Sequence, residues 1–76
     1  MDPITILFIA YLSCDDAAER VVLPPTVAME CVQIYEELKR QVADGDYLAF
    51  IEWREDNEAD YRERHRIPNI IPGTNT

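Results

Sequence analysis

The sequence predicts a small α+β domain: a three-stranded antiparallel-type sheet in β-β-α-β-α order, one main amphipathic helix packed on it, and an irregular C-terminal tail. Three observations carry that expectation. Residues 26–45, TVAMECVQIYEELKRQVADG, repeat apolar side chains at helical spacing. Residues 4–12, ITILFIAYL, form a continuous apolar run with no polar alternation. Residues 47–54, YLAFIEWR, divide into two faces at strand spacing.

A short continuous apolar run suits a strand buried on both faces. For residues 4–12, the β-branched content and the preceding Asp2-Pro3 favour strand over buried helix. A membrane-seeking or lipidated N-terminus, with Cys14 as the modified residue, is disfavoured because no Lys or Arg precedes Arg20. Residues 13–19, SCDDAAE, read as a polar connector. Asp15 and Asp16 alone do not enclose a cation, so they read as turn residues. Residues 20–23, RVVL, read as a short edge strand ended by Pro24-Pro25 and paired with the first in a hairpin.

The main helix is the firmest element. At about 100° per residue, Val27, Cys31, Ile34, Tyr35, Leu38 and Val42 share one arc, opposite Glu30, Gln33, Glu37, Arg40 and Gln41. Thr26 is placed to cap its start, and Gly45 stands where a left-handed stop residue belongs. Outside the arc, Met29 and Val32, with Ala43, gather on one flank. They read either as scattered surface residues or as a small contact patch for a partner or second copy.

In the third strand, Tyr47, Ala49, Ile51 and Trp53 face one way and Leu48, Phe50, Glu52 and Arg54 the other. Trp53 reads as a packed core residue in preference to a binding anchor. Residues 55–66, EDNEADYRERHR, place acidic residues first and arginines last, which suits a helix dipole. The expectation is a short, mostly solvated helix with Glu58–Arg62 and Asp60–Arg64 paired at i,i+4, and with Ala59 and Tyr61 turned inward. The tail, residues 67–76, is too rich in Pro and Gly for regular structure, although Ile67, Ile70 and Ile71 are apolar enough to dock. The organisation is therefore one domain, 1–66, and a tail. One helix covers one face of such a sheet, so the other face requires the tail, the last helix or a second chain; a homodimer is an open possibility.

Composition bounds the function. The chain has 76 residues, a hydrophobic content of 47% and a formal net charge of −8. Folding is therefore expected, and direct binding to nucleic acid or anionic membrane is not. The longest apolar run is well short of the roughly 20 residues of a membrane span, so a soluble, cytoplasmic protein is the expectation. Cys31 lies in the apolar arc, where a free cysteine acts as a small hydrophobe; a bridge to Cys14 is the alternative in an oxidising compartment.

Chemistry is hard to find. His65 stands alone among arginines and reads as a solvated surface residue. No close Cys/His pairs suggest zinc. Asp56, Glu58 and Asp60 alternate as in an EF-hand loop, but Tyr61 replaces the needed Gly and Ile67 the bidentate Glu. Gly45 and Gly73 cannot form a phosphate loop, and Ser13 is the only serine. No enzyme, metal or cofactor is expected.

The surface is therefore the expected agent. Asp44, Asp46, Glu52, Glu55, Asp56, Glu58 and Asp60 fall close together in sequence. Together they would form a negative face able to occupy a cationic groove on a larger nucleic-acid-handling protein, as a nucleic-acid mimic. The expectation is a non-enzymatic inhibitor or adaptor, in the manner of phage-encoded inhibitors and by likeness of type only, with Met29 and Val32 as a supporting flank. The alternative is an assembly subunit that docks through its tail.

Overall fold

A computed structural model describes residues 2–67, and among them there is no strand. The expected α+β fold with its three-stranded sheet is replaced by an all-α fold. Three helices follow one another: α1 (Pro3–Arg20), α2 (Pro25–Ala43) and α3 (Tyr47–His65). Short connectors make neighbours antiparallel. Phe8 meets Trp53 while Asp16 meets Arg62, so α1 and α3 run parallel. Residues from Pro68 onward, including Ile70 and Ile71 of the expected docking tail, lie outside the described residues.

The predicted first strand is the first half of α1. Asp2-Pro3, which favours a strand by sequence reasoning, is in fact a helix start. The Asp2 carboxylate accepts hydrogen bonds from the Thr5 amide and hydroxyl, both at 2.9 Å, and Pro3 fits the first helical position, where no amide partner is needed. The Thr5 amide bond holds the Asp2 carboxyl below its ordinary pKa. Thr5, Phe8, Leu12 and Asp16 form the buried stripe at i, i+3, i+7 and i+11. The predicted connector at residues 13–19 continues this helix. The predicted edge strand at 20–23 is the end of α1 and an extended connector.

The expected main helix is present with its ends shifted. Pro24 is the cap residue and Pro25 the first helical position, so Thr26 does not cap. Its C-terminus closes with two left-handed residues, Asp44 at φ 55° and Gly45 at φ 82°. Their amides return to the Arg40 and Lys39 carbonyls. Gly45 is thus a stop residue as read, but Asp44 shares the work, an Asp tolerating this backbone better than most side chains.

The predicted third strand and last helix are one continuous helix, α3. Asp46 caps it, its carboxylate accepting from the Ala49 amide at 2.9 Å. The inward residues are Ala49, Phe50, Ile51, Trp53, Arg54, Asn57, Glu58, Tyr61, Arg62 and His65, which is a continuous helical stripe. A hydrophobicity reading misses it because half of it is polar. Ala59, expected inside, is exposed, and His65, expected in solvent, is half-buried beside Tyr61.

Phe8, Leu12, Leu38 and Phe50 are fully buried at the centre. Rings surround them. Phe8 lies edge-on to Trp53 at 4.7 Å and Tyr61 at 4.9 Å, and Phe50 lies edge-on to Tyr11 at 5.5 Å and Tyr35 at 5.3 Å. Such edge contacts add about 0.5–1.5 kcal/mol each beyond burial. Trp53 is packed, as read. Aromatic bulk lets a chain of this length fill a core with few residues. Cys14 and Cys31 form a disulfide from α1 to α2, with Cα atoms 5.9 Å apart; the reading of Cys31 as a free hydrophobe is corrected.

Candidate functional site

The densest polar chemistry lies between α1 and α3. Asp16 accepts two parallel hydrogen bonds from the Arg62 guanidinium, at 2.9 and 3.0 Å. Arg62 is 7% and Asp16 8% exposed. Arg62 Nε also donates to Glu58 at 2.8 Å, and the other Glu58 oxygen accepts from Arg54 Nε at 2.8 Å. Arg54 then donates to Asp15 at 3.0 Å and to the Tyr11 hydroxyl at 2.6 Å. Asp15 and Asp16, read as turn residues, are the α1 half of this chain. The expected Glu58–Arg62 pair forms, as part of a larger network.

Burial alone would raise the Glu58 pKa, but hydrogen bonds from Arg54 and Arg62 outweigh it and hold the carboxyl below its ordinary value. Burial opposes charge on Arg54, yet Glu58, Tyr11 and Asp15 keep its pKa above normal. Burial raises the Tyr11 phenol, only partly countered by Arg54. A general base needs a pKa near the working pH and a free lone pair aimed at substrate. Here the pKa shifts run away from neutrality and the lone pairs are engaged, so the network acts as an interhelical clamp.

That clamp gives a pH prediction. The Glu58 contribution is fully present above its unfolded pKa of about 4.3 and is lost as pH falls through the lower folded value. Urea midpoints should therefore fall as pH drops below about 4.5. Glu58→Gln, less stable at pH 6, should show a shallower acid decline. An equal decline in both proteins would assign acid sensitivity to other carboxylates.

The seven carboxylates expected to share one face are spread over the α2–α3 turn and the length of α3, with Glu58 turned inward. Asp44 and Asp46 sit at the α2–α3 turn, both exposed, with Asp46 engaged as a cap. Glu52, Glu55 and Asp56 are exposed on the outer side of α3, joined there by Glu63; none of the four makes an ion pair among the described residues. Glu58 turns inward to the clamp. Asp60 pairs with Arg64 at 2.6 Å, which neutralises it locally. Met29 and Val32 are 64% and 56% exposed, one turn apart on α2.

Val32 borders a feature that sequence reasoning missed. An open groove of about 230 Å³ lies between α1 and α2. The Cys14–Cys31 bridge forms part of its wall, and Ala18 and Ala28 make it deep by being small. Leu23 and Val32 border it, and Tyr11 and Tyr35 close one end. Asp15 is its one charged lining residue. Beside it a second hollow brings in Val21 and Val22, and Val22 is 96% exposed. Residues 21–29, VVLPPTVAM, carry no charge in a chain that is 29% charged. Apolar side chains held in water in this way mark interaction surfaces.

Among the described residues no three His, Cys, Asp or Glu gather to hold a metal ion, and no helix is long and apolar enough to cross a membrane. The clamp residues were legible in principle. Positions 54, 58 and 62 repeat at helical spacing, and Asp16 lies four residues after Leu12. Only the assumption that inward positions are apolar hides them. Comparison with known protein families, with curated proteins and with solved structures returns no match.

Proposed function

We propose that this chain is a non-enzymatic protein-binding module that engages a cationic protein through the α1–α2 groove and its apolar border. The observation that carries this reading is the apolar surface on an otherwise acidic bundle, where Val22 and Val32 are exposed beside half-buried Leu23 and Ala28. The disulfide braces the groove, which lowers the ordering cost of binding. The formal charge of −8 supplies long-range attraction to a basic partner, acting on association rate more than on affinity. Nucleic-acid-handling proteins are one such class of partner. An intact Cys14–Cys31 bridge is maintained in oxidising surroundings, so the reading favours a partner met there over the cytoplasm expected from sequence.

The test uses tagged wild type and a Val22→Lys/Val32→Lys variant as baits in lysate of the source cells, with nuclease, at low and high salt. Both positions are exposed, so the variant should melt with wild type. A partner retained by wild type and lost by at least about tenfold in the variant supports the reading. An unchanged partner profile overturns it. Lys at Glu52, Glu55 and Asp56 should slow association and flatten its salt dependence, leaving dissociation unchanged. Glu58 is left out of that set because its charge holds the fold.

A further inference from the structure

We infer that the Cys14–Cys31 bridge is a redox-sensitive latch: its reduction by a dithiol releases residues 21–31 from α1 while the rest of the bundle stays folded. The core and the side chains packed on it lie within residues 4–12, 35–43 and 50–67. The clamp joins Asp15 and Asp16 to α3. Residues 17–34 contribute to neither. Among the described residues, no side chain in that stretch makes a hydrogen bond, an ion pair or a ring contact. From Pro25 to Glu30 every residue of α2 is exposed except half-buried Ala28. The start of α2 also lacks a side-chain cap, whereas Asp2 and Asp46 cap α1 and α3. A helix end with no cap and little buried apolar surface has low local stability. Besides half-buried Leu23 and Ala28, what fastens it to α1 is the disulfide.

Both cysteines are half-buried and line the open groove, so a dithiol reaches the sulfurs from solvent. One thiolate of the dithiol attacks one cysteine Sγ, the S–S bond breaks, and the other Sγ leaves as a thiolate. The second thiolate of the reductant then displaces the first cysteine. The dithiol ends as a disulfide, and its two electrons and two protons leave Cys14 and Cys31 as thiols. For its consequence the latch rests on the binding-module reading. The released segment carries Val22, Leu23 and Ala28, and Val32 adjoins it. Reduction therefore dismantles the surface assigned to the partner without unfolding the core.

The test is amide hydrogen exchange of the isotope-labelled full chain without partner, below the melting temperature of its reduced form. Oxidised, dithiothreitol-reduced and reoxidised protein are compared. On reduction the amides of Met29–Gln33 should exchange at least about tenfold faster and approach unfolded-chain rates, while those of Leu12, Leu38 and Phe50 stay protected. Reoxidation should restore the first group, and Cys14→Ser/Cys31→Ser should show the reduced pattern with or without dithiothreitol. Unchanged protection at Met29–Gln33 overturns the latch, because packing then holds that end. Loss of protection at Leu12, Leu38 and Phe50 along with it also overturns the latch, the bridge then being a staple for the whole bundle. Pull-downs with oxidised and reduced baits separate the latch from the binding reading. Opening of Met29–Gln33 with an unchanged partner profile supports the latch and overturns this surface as the binding site. A partner lost in Val22→Lys/Val32→Lys, with Met29–Gln33 still protected after reduction, supports the binding site and overturns the latch.

Discussion

Asp16→Ala is expected to destabilise the protein by about 3 kcal/mol, the low end of the cost of breaking a buried ion pair from one side. The substitution strips the Arg62 guanidinium of two hydrogen bonds where it is almost out of water. Glu58 still accepts from Arg62, which keeps the loss from the upper end of that range. For a small domain with a total stability of about 5–10 kcal/mol, this is a large fraction. Urea unfolding of wild type and variant at pH 7 measures it. The double variant Asp16→Leu/Arg62→Met should recover most of the loss, because apolar replacements of similar volume remove both charges together. The cycle formed with the single variants should show coupling well above about 0.5 kcal/mol. A loss under about 1 kcal/mol for Asp16→Ala would mean that the pair behaves as a surface salt bridge.

Opening the disulfide is the second large effect. Cys14 and Cys31 are separated by 17 positions, and closing a loop of that size restricts the unfolded chain by about 3 kcal/mol in the chain-entropy account. In a domain of this length that corresponds to a fall in Tm on the order of 15 °C. Thermal melts of oxidised protein, reduced protein and Cys14→Ser/Cys31→Ser measure it. The latter two should agree, and both should fall below the first. Melts within about 3 °C of each other would show that helix packing alone holds α1 on α2. Because the bridge forms part of the groove wall, reduction should also weaken partner binding, linking function to an oxidising environment.

The sequence by itself determined the two breaks between elements and the course of the middle helix. The Pro24-Pro25 break, the Asp44–Asp46 turn and the core of α2 were legible because proline, glycine and amphipathic spacing act within a few residues. So were the i,i+4 pairs Glu58–Arg62 and Asp60–Arg64, and the packing of Trp53. The type of the other two elements was not legible locally. ITILFIAYL is apolar on every side, and a run without polar alternation has no period from which to separate strand from helix. YLAFIEWREDNEADYRERH hides its helical stripe because Arg54, Glu58 and Arg62 occupy inward positions and count as solvent-facing in any hydrophobicity pattern. What placed them inside was the tertiary fold. Asp15, Asp16 and Tyr11 on α1 supply the opposite charges and hydroxyl that make burial of two guanidiniums tolerable. The same distinction applies to the candidate site. Net charge was a property of composition, but which carboxylates face solvent, which hold the fold and where the groove opens depended on contacts between residues 14 and 31, 16 and 62, and 11 and 54. Partners that far apart in sequence leave no local periodic signal; they exist only once three helices have packed.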